Sequence, residues 1–79
     1  MTVALQALIV TLRDSSRAER LLSLSGLSAD ELRTGTSDPA MLAEVLRFLE
    51  AHEPDLIAVA EELDFKPEEL VRARSALEA

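Results

Sequence analysis

The sequence predicts an all-α fold, and three observations support that prediction. Leu and Ala supply 27 of the 38 apolar residues in a chain of 79, and both favour helix over strand. Apolar residues repeat at helical spacing in several segments, and helix-start signals stand between those segments. We therefore expect one compact domain, residues 1–79, made of five or six short helices with helical-hairpin repeats.

The first two helices follow from an apolar repeat and a polar break. Apolar residues recur at i, i+3, i+4 and i+7 from Leu5 to Leu12, so the first helix should span about residues 3–13. The polar residues that follow, Asp14, Ser15 and Ser16, can cap a helix start. Ser16 and Glu19 have capping-box spacing and predict that the second helix begins there.

A glycine and another capping box frame the third helix. Gly26 suits the left-handed residue that often follows a helix. Ser28 and Glu31 have capping-box spacing, so they predict a brief third helix that Gly35 ends.

Prolines mark the three helix starts in the second half of the chain. Pro39 opens the fourth helix, whose apolar stripe from Leu42 to Leu49 makes it the predicted centre of the fold. Pro54 and Pro67 suit the first turns of the fifth and sixth helices.

The predicted repeat and core connect these helices. The segments Gly26–Leu32 and Asp64–Leu70 align at an offset of 38, and each has a turn, an apolar residue and a helix start. The predicted core is Leu8, Leu12, Leu22, Leu27, Leu32, Leu42, Val45, Leu46, Leu49, Leu56, Ala60, Leu63, Phe65, Leu70 and Leu77.

The charge of the chain is strongly acidic and unevenly distributed. The net charge of -7 repels phosphate backbones and anionic lipid headgroups, so we expect no nucleic-acid partner. Residues 1–39 carry -1 and residues 40–79 carry -6. Arg13, Arg17 and Arg20 are spaced by four and three, and they either pair with the acidic half of the same chain or a twin subunit, or form a docking patch for an acidic partner.

The chain predicts no catalytic, cofactor or metal site. It has no Cys, which excludes a thiol nucleophile and fits a reducing compartment, and it has one His. Glu50, His52, Glu53 and Asp55 could together hold a divalent ion. Because they straddle a helix end and a proline, we interpret them as a solvated helix junction.

A carrier protein modified at a serine is one alternative function. Ser15 could stand at an exposed helix start, as a modified serine must, but capping explains the same residues and the Asp-Ser-Leu signature of carriers is missing.

A DNA-binding helix-turn-helix over Leu56–Leu77 is the other alternative. The first turn of its second helix holds Glu68 and Glu69, which would repel phosphate.

The chain resembles a family of short bacterial proteins known as domain of unknown function 3572. The resemblance covers nearly the whole chain, and it lies in Ala4–Leu8, Leu24–Leu27, Asp30–Arg33, Asp38–Ala40, Val45–Leu49 and Arg72–Leu77. It implies a compact helical fold and a bacterial cytoplasmic setting, and it supplies no catalytic residue. One departure is Lys66, where the family pattern has Asp before the proline, which forgoes a side-chain cap.

The sequence lacks catalytic motifs and has more apolar surface than a small core can cover. Together these observations indicate a protein-interaction or adaptor module that is not an enzyme. The most apolar segment, the first twelve residues, contains Gln6 and two Thr and predicts neither a membrane span nor a secretory signal. A domain of this size leaves part of its apolar surface uncovered, so we expect the first helix to contact a second copy in a homodimer. We expect a cytoplasmic protein with no membrane partner.

Overall fold

Six α-helices make up the structure, a computed structural model that describes residues 2–79, and no strand occurs in that range. In chain order the helices are α1 (Thr2–Arg13), α2 (Ser15–Ser25), α3 (Ala29–Thr34), α4 (Pro39–Ala51), α5 (Glu53–Glu62) and α6 (Pro67–Glu78). The predicted all-α fold of five or six short helices is confirmed. The longest described helix has 13 residues, and none of residues 2–79 lies in a helix long and apolar enough to cross a bilayer.

The start of α2 confirms one of the three predicted capping residues but not the predicted capping box. Asp14, not Ser16, caps this helix: its carboxylate accepts the backbone N–H groups of Ser16 and Arg17 at 2.9 and 3.1 Å. Ser16 lies inside the first turn, so the predicted capping box with Glu19 is wrong. A carboxylate makes stronger, charge-assisted bonds than a hydroxyl, and the bond from the Arg17 amide lowers the pKa of Asp14.

The predicted repeat at an offset of 38 is present in the backbone. Gly26 and Asp64, which align in the repeat, both have positive φ, at 75° and 58°. The helices that follow, α3 and α6, begin at aligned positions. Ser28 caps α3 in a complete capping box with Glu31, whereas Lys66 gives α6 no side-chain cap. The two hairpin turns therefore share a left-handed residue and differ in their caps.

Helix α4 is the centre of the fold, as predicted. It packs against α1, α2, α5 and α6. Seven of its residues are buried, and they are Met41, Leu42, Ala43, Val45, Leu46, Phe48 and Leu49. This central helix gives the other helices a common apolar surface on which to pack.

The core agrees with the prediction in most positions. Nine of the predicted core residues are buried, and these are Leu8, Leu32, Leu42, Val45, Leu46, Leu49, Leu56, Ala60 and Leu70. Five are half-buried against that core, and these are Leu22, Leu27, Leu63, Phe65 and Leu77. Five residues that are 0% exposed are absent from the predicted core, and these are Ala4, Ala7, Thr11, Leu21 and Val59.

Leu12 is the one predicted core residue that the structure exposes. It is 41% exposed, because α1 turns a line of small residues, Ala4, Ala7 and Thr11, toward its neighbours. Small side chains let helices approach closely, and Thr11 satisfies its own hydroxyl by donating to the carbonyl of Ala7 at 2.7 Å. Leu12 lies one residue further round the helix than Thr11, so the neighbouring helices cover its side chain only in part.

Candidate functional site

Two of the three arginines in the predicted docking patch meet at one buried carboxylate. Arg20 donates to both oxygens of Asp55, at 2.7 and 3.1 Å, and Arg17 donates from Nε at 3.3 Å. Asp55 is only 6% exposed, so the prediction that it lies in a solvated junction is wrong. Its carboxylate is buried because it lies in the first turn of α5, where the helix dipole favours negative charge, and because α2 supplies the two guanidinium groups.

The third arginine of the patch, Arg13, lies elsewhere. It is the last residue of α1 and is exposed, and the structure does not bring it to Asp55. Arg13 follows Leu5 and Ile9 at successive spacings of four, so the three residues form one line along α1. A docking role for the three arginines together stays a prediction.

The acidic residues around His52 do not converge on an ion. The Nδ1 atom of His52 lies 2.9 Å from the carbonyl oxygen of Phe48, and the two rings are 4.8 Å apart. Glu50 instead binds Arg74 of α6 through both carboxylate oxygens, at 2.7 and 3.1 Å. Among residues 2–79, no group of three or more His, Asp or Glu side chains is arranged to hold a metal.

The remaining sequence candidates lie at exposed helix starts. Ser15 is the first residue of α2 and is exposed, beside the capping Asp14. Glu68 and Glu69 occupy the first turn of α6, where they suit the positive end of the helix dipole.

A second group of ion pairs, which no pattern in the sequence predicts, joins α4 to α6. Arg74 donates to Glu78 at 2.6 Å as well as to Glu50, and Arg47 of α4 also binds Glu78. The bonds from Arg74 and then Arg47 lower the pKa of Glu78, and the bonds to the glutamates raise the pKa of both arginines. These side chains therefore stabilise the packing of two helices.

The most distinctive surface feature is an apolar groove between α1, α2 and α3, which we call the α1–α3 groove. It has a volume of about 330 Å³. Its apolar lining consists of Leu5, Leu8, Ile9 and Leu12 from α1, Ala18 and Leu22 from α2, and Ala29 and Leu32 from α3. Ile9 and Leu12 are 46% and 41% exposed, so the groove presents large aliphatic side chains to solvent.

The α1–α3 groove also differs in charge from other hollows on the surface. Arg33 and Thr36 are its polar residues, and no carboxylate of the described residues 2–79 lines it. Four other hollows, with volumes of 190 to 640 Å³, each include at least one Glu. In a chain with 15 acidic residues, this groove is apolar with a cationic edge.

The sequence indicated part of this groove. The surplus of apolar surface predicted that the first helix would be partly uncovered, and the exposure of Ile9 agrees with that prediction, although Leu12 was expected in the core. The contribution of α3 could not be predicted, because it depends on how Gly26 directs the chain back across α1 and α2.

Comparisons with known proteins identify the family. No curated protein and no solved structure matches the chain. One family model, described as a protein of unknown function (DUF3572), matches residues 1–79 and confirms the resemblance found in the sequence. The chain therefore belongs to the DUF3572 family of proteins of unknown function.

Proposed function

We propose that this protein is a non-catalytic protein-interaction module and that the α1–α3 groove is its docking surface. The observation that carries the proposal is the exposure of Ile9 and Leu12 in a hollow that has no carboxylate in its lining. Full burial of such a side chain contributes about 1.5 to 3 kcal/mol, so covering their exposed fractions would stabilise a complex by roughly 1.5 to 2.5 kcal/mol. Further contacts around the rim would add to that amount.

The uses of the polar side chains support a non-catalytic role. Asp14, Ser28 and Asp38 cap helices, and Asp55 and Glu78 bind arginines. Every buried polar side-chain atom within residues 2–79 has a hydrogen-bond partner. Groups that are committed to structural bonds in this way are poor candidates for acid-base or nucleophilic chemistry.

A matched pair of variants tests the proposed docking surface. Ile9→Gln places an amide in the groove, and Ile57→Gln makes the same change on α5, where Ile57 is 40% exposed and lies outside the groove. We expect a partner captured from the native cells to be retained by wild-type protein and Ile57→Gln, and lost with Ile9→Gln. Circular dichroism should show that both variants are folded. Equal retention by the two variants would refute the proposal.

We also propose that the module works in the bacterial cytoplasm. The absence of Cys fits a reducing compartment, where disulfides do not form. Fractionation of the native cells would test this, and recovery in an extracytoplasmic fraction would contradict it.

A further inference from the structure

We infer that the occupant of the α1–α3 groove is an amphipathic helix of a partner protein that carries carboxylates beside its apolar face. The inference rests on the proposed function above and adds the chemistry of the partner. It follows from the shape of the groove, from the position of its cations and from the mismatch between two copies of the same groove.

The shape of the groove suits a helix. Leu5, Ile9 and Leu12 line the groove from α1 at spacings of four and three, over a length of about 10 Å at 1.5 Å per residue. Two turns of a docked helix, with apolar residues at i, i+4 and i+7, present side chains over a similar length. Leu32 on α3 and Leu22 on α2 supply the opposite sides.

The charges at the groove favour an acidic occupant. Arg33 lines the groove, and Arg13 stands one turn beyond Ile9 on α1. Arg33 now pairs with Asp30 at 3.2 Å, but both side chains are exposed, and such pairs add little stability. Arg33 can therefore turn to a carboxylate of a bound partner, and covering the groove would exclude water and strengthen that bond.

A second copy of this chain fits the groove less well. In a two-fold dimer the same surface occurs on both sides, so the apolar lining and Arg33 of one copy would face a surface with the same apolar lining and the same cation. Among the described residues no carboxylate lines the groove, and Asp30, which lies beside it, already pairs with Arg33 of its own chain. A different chain can supply the carboxylates that the lining of a second groove lacks.

Synthetic peptides provide a direct probe. One peptide of about 16 residues has leucines along a single helical face and glutamates beside them, and its twin has lysines in place of the glutamates. Fluorescence anisotropy of the labelled peptides measures both affinities against the intact protein. We expect the acidic peptide to bind at least about tenfold more tightly than the lysine twin, and added salt to reduce that ratio.

Variants separate the charge contribution from the apolar one. Combined Arg13→Glu and Arg33→Glu should invert the preference, so that the lysine twin binds more tightly. Ile9→Gln should lower the affinity for both peptides by about tenfold or more, while Ile57→Gln should leave both affinities unchanged.

The possible results distinguish this inference from the proposed function. Equal binding of the two peptides, or an unchanged preference in the double arginine variant, overturns the acidic helix. A dimer in sedimentation velocity that Ile9→Gln dissociates also overturns it, because the occupant is then a second copy. In either case, loss of the captured cellular partner with Ile9→Gln would leave the docking function intact. Equal capture by the Ile9→Gln and Ile57→Gln variants would refute the docking function itself.

Discussion

Replacing Asp55 by Asn should destabilise the fold substantially, although the change only replaces one carboxylate oxygen by an NH2 group. Asp55 is 6% exposed and accepts three hydrogen bonds from two arginines of α2. Asn keeps the volume and one acceptor oxygen, but it removes the charge that balances both guanidinium groups. The change therefore leaves two cations beside a neutral amide.

The burial of the partners sets the size of the effect. Removing one member of a fully buried ion pair costs about 3 to 5 kcal/mol, whereas exposed pairs contribute about 0 to 1 kcal/mol. The side chain of Arg17 is 17% exposed and that of Arg20 is 44% exposed, so Arg20 can regain water while Arg17 cannot do so fully. We expect an intermediate loss of about 2 to 3 kcal/mol in the free energy of unfolding.

Urea denaturation followed by far-ultraviolet circular dichroism measures this loss. The chain has no Trp or Tyr, so the helical signal is a more suitable readout than fluorescence. Glu53→Gln is the matched control, because Glu53 is an exposed carboxylate in the same turn of α5. A loss for Asp55→Asn below about 0.5 kcal/mol, equal to that of the control, would refute the conclusion that Asp55 holds α2 in place.

Three further sets of variants test the core, the hairpin turns and the ion pairs of α6. Leu46→Ala should cost about 2 to 5 kcal/mol because Leu46 is fully buried, and the same change at the 63%-exposed Leu24 should cost less than about 0.5 kcal/mol in urea denaturation. Gly26 and Asp64 both have positive φ, which glycine adopts without strain. Gly26→Ala should therefore reduce the free energy of unfolding by about 1 kcal/mol, whereas Asp64→Gly should leave it unchanged or raise it, and thermal melts measure both changes. The pKa of Glu78 is lowered from 4.5, so its contribution is present above that pH and is lost as the pH falls through the lower folded value. Glu78→Gln should therefore reduce the loss of stability on acidification below about pH 4.5, as measured by urea denaturation at each pH.

Local signals in the sequence predicted the helices well. Each helix start from α2 to α6 carries a cap or a proline close to its own first residue, and the breaks at Gly26 and Gly35 are equally local. The error at Ser16 shows the limit of this approach. Two caps compete within three residues, and the stronger carboxylate acceptor of Asp14 forms the bonds.

Burial was predicted less well because it depends on how closely helices approach. The leucines of α1 suggested that Leu12 is buried, yet the small residues Ala4 and Ala7 form the closer contact and rotate Leu12 outward. The same limit explains Asp55. Its burial requires two arginines that are 35 and 38 residues away in the chain, and neither spacing is visible as a pattern.

One part of the α1–α3 groove could be predicted from the sequence, and the other part could not. An apolar first helix with more aliphatic surface than a small core can cover was evident from residues 3–13. The exclusion of carboxylates from the groove was not evident. It arises because α3 places Leu32 and Arg33 across from α1, while the excess of acidic residues lies in the second half of the chain.

Mapping the acidic peptide on isotopically labelled protein by NMR tests the central claim most directly. A groove that docks a partner helix predicts amide and methyl shift changes concentrated at Leu5, Ile9, Leu12, Leu22 and Leu32, with little change near Ile57 on α5. Shift changes centred on Ile57, or spread evenly over all six helices, would contradict the account.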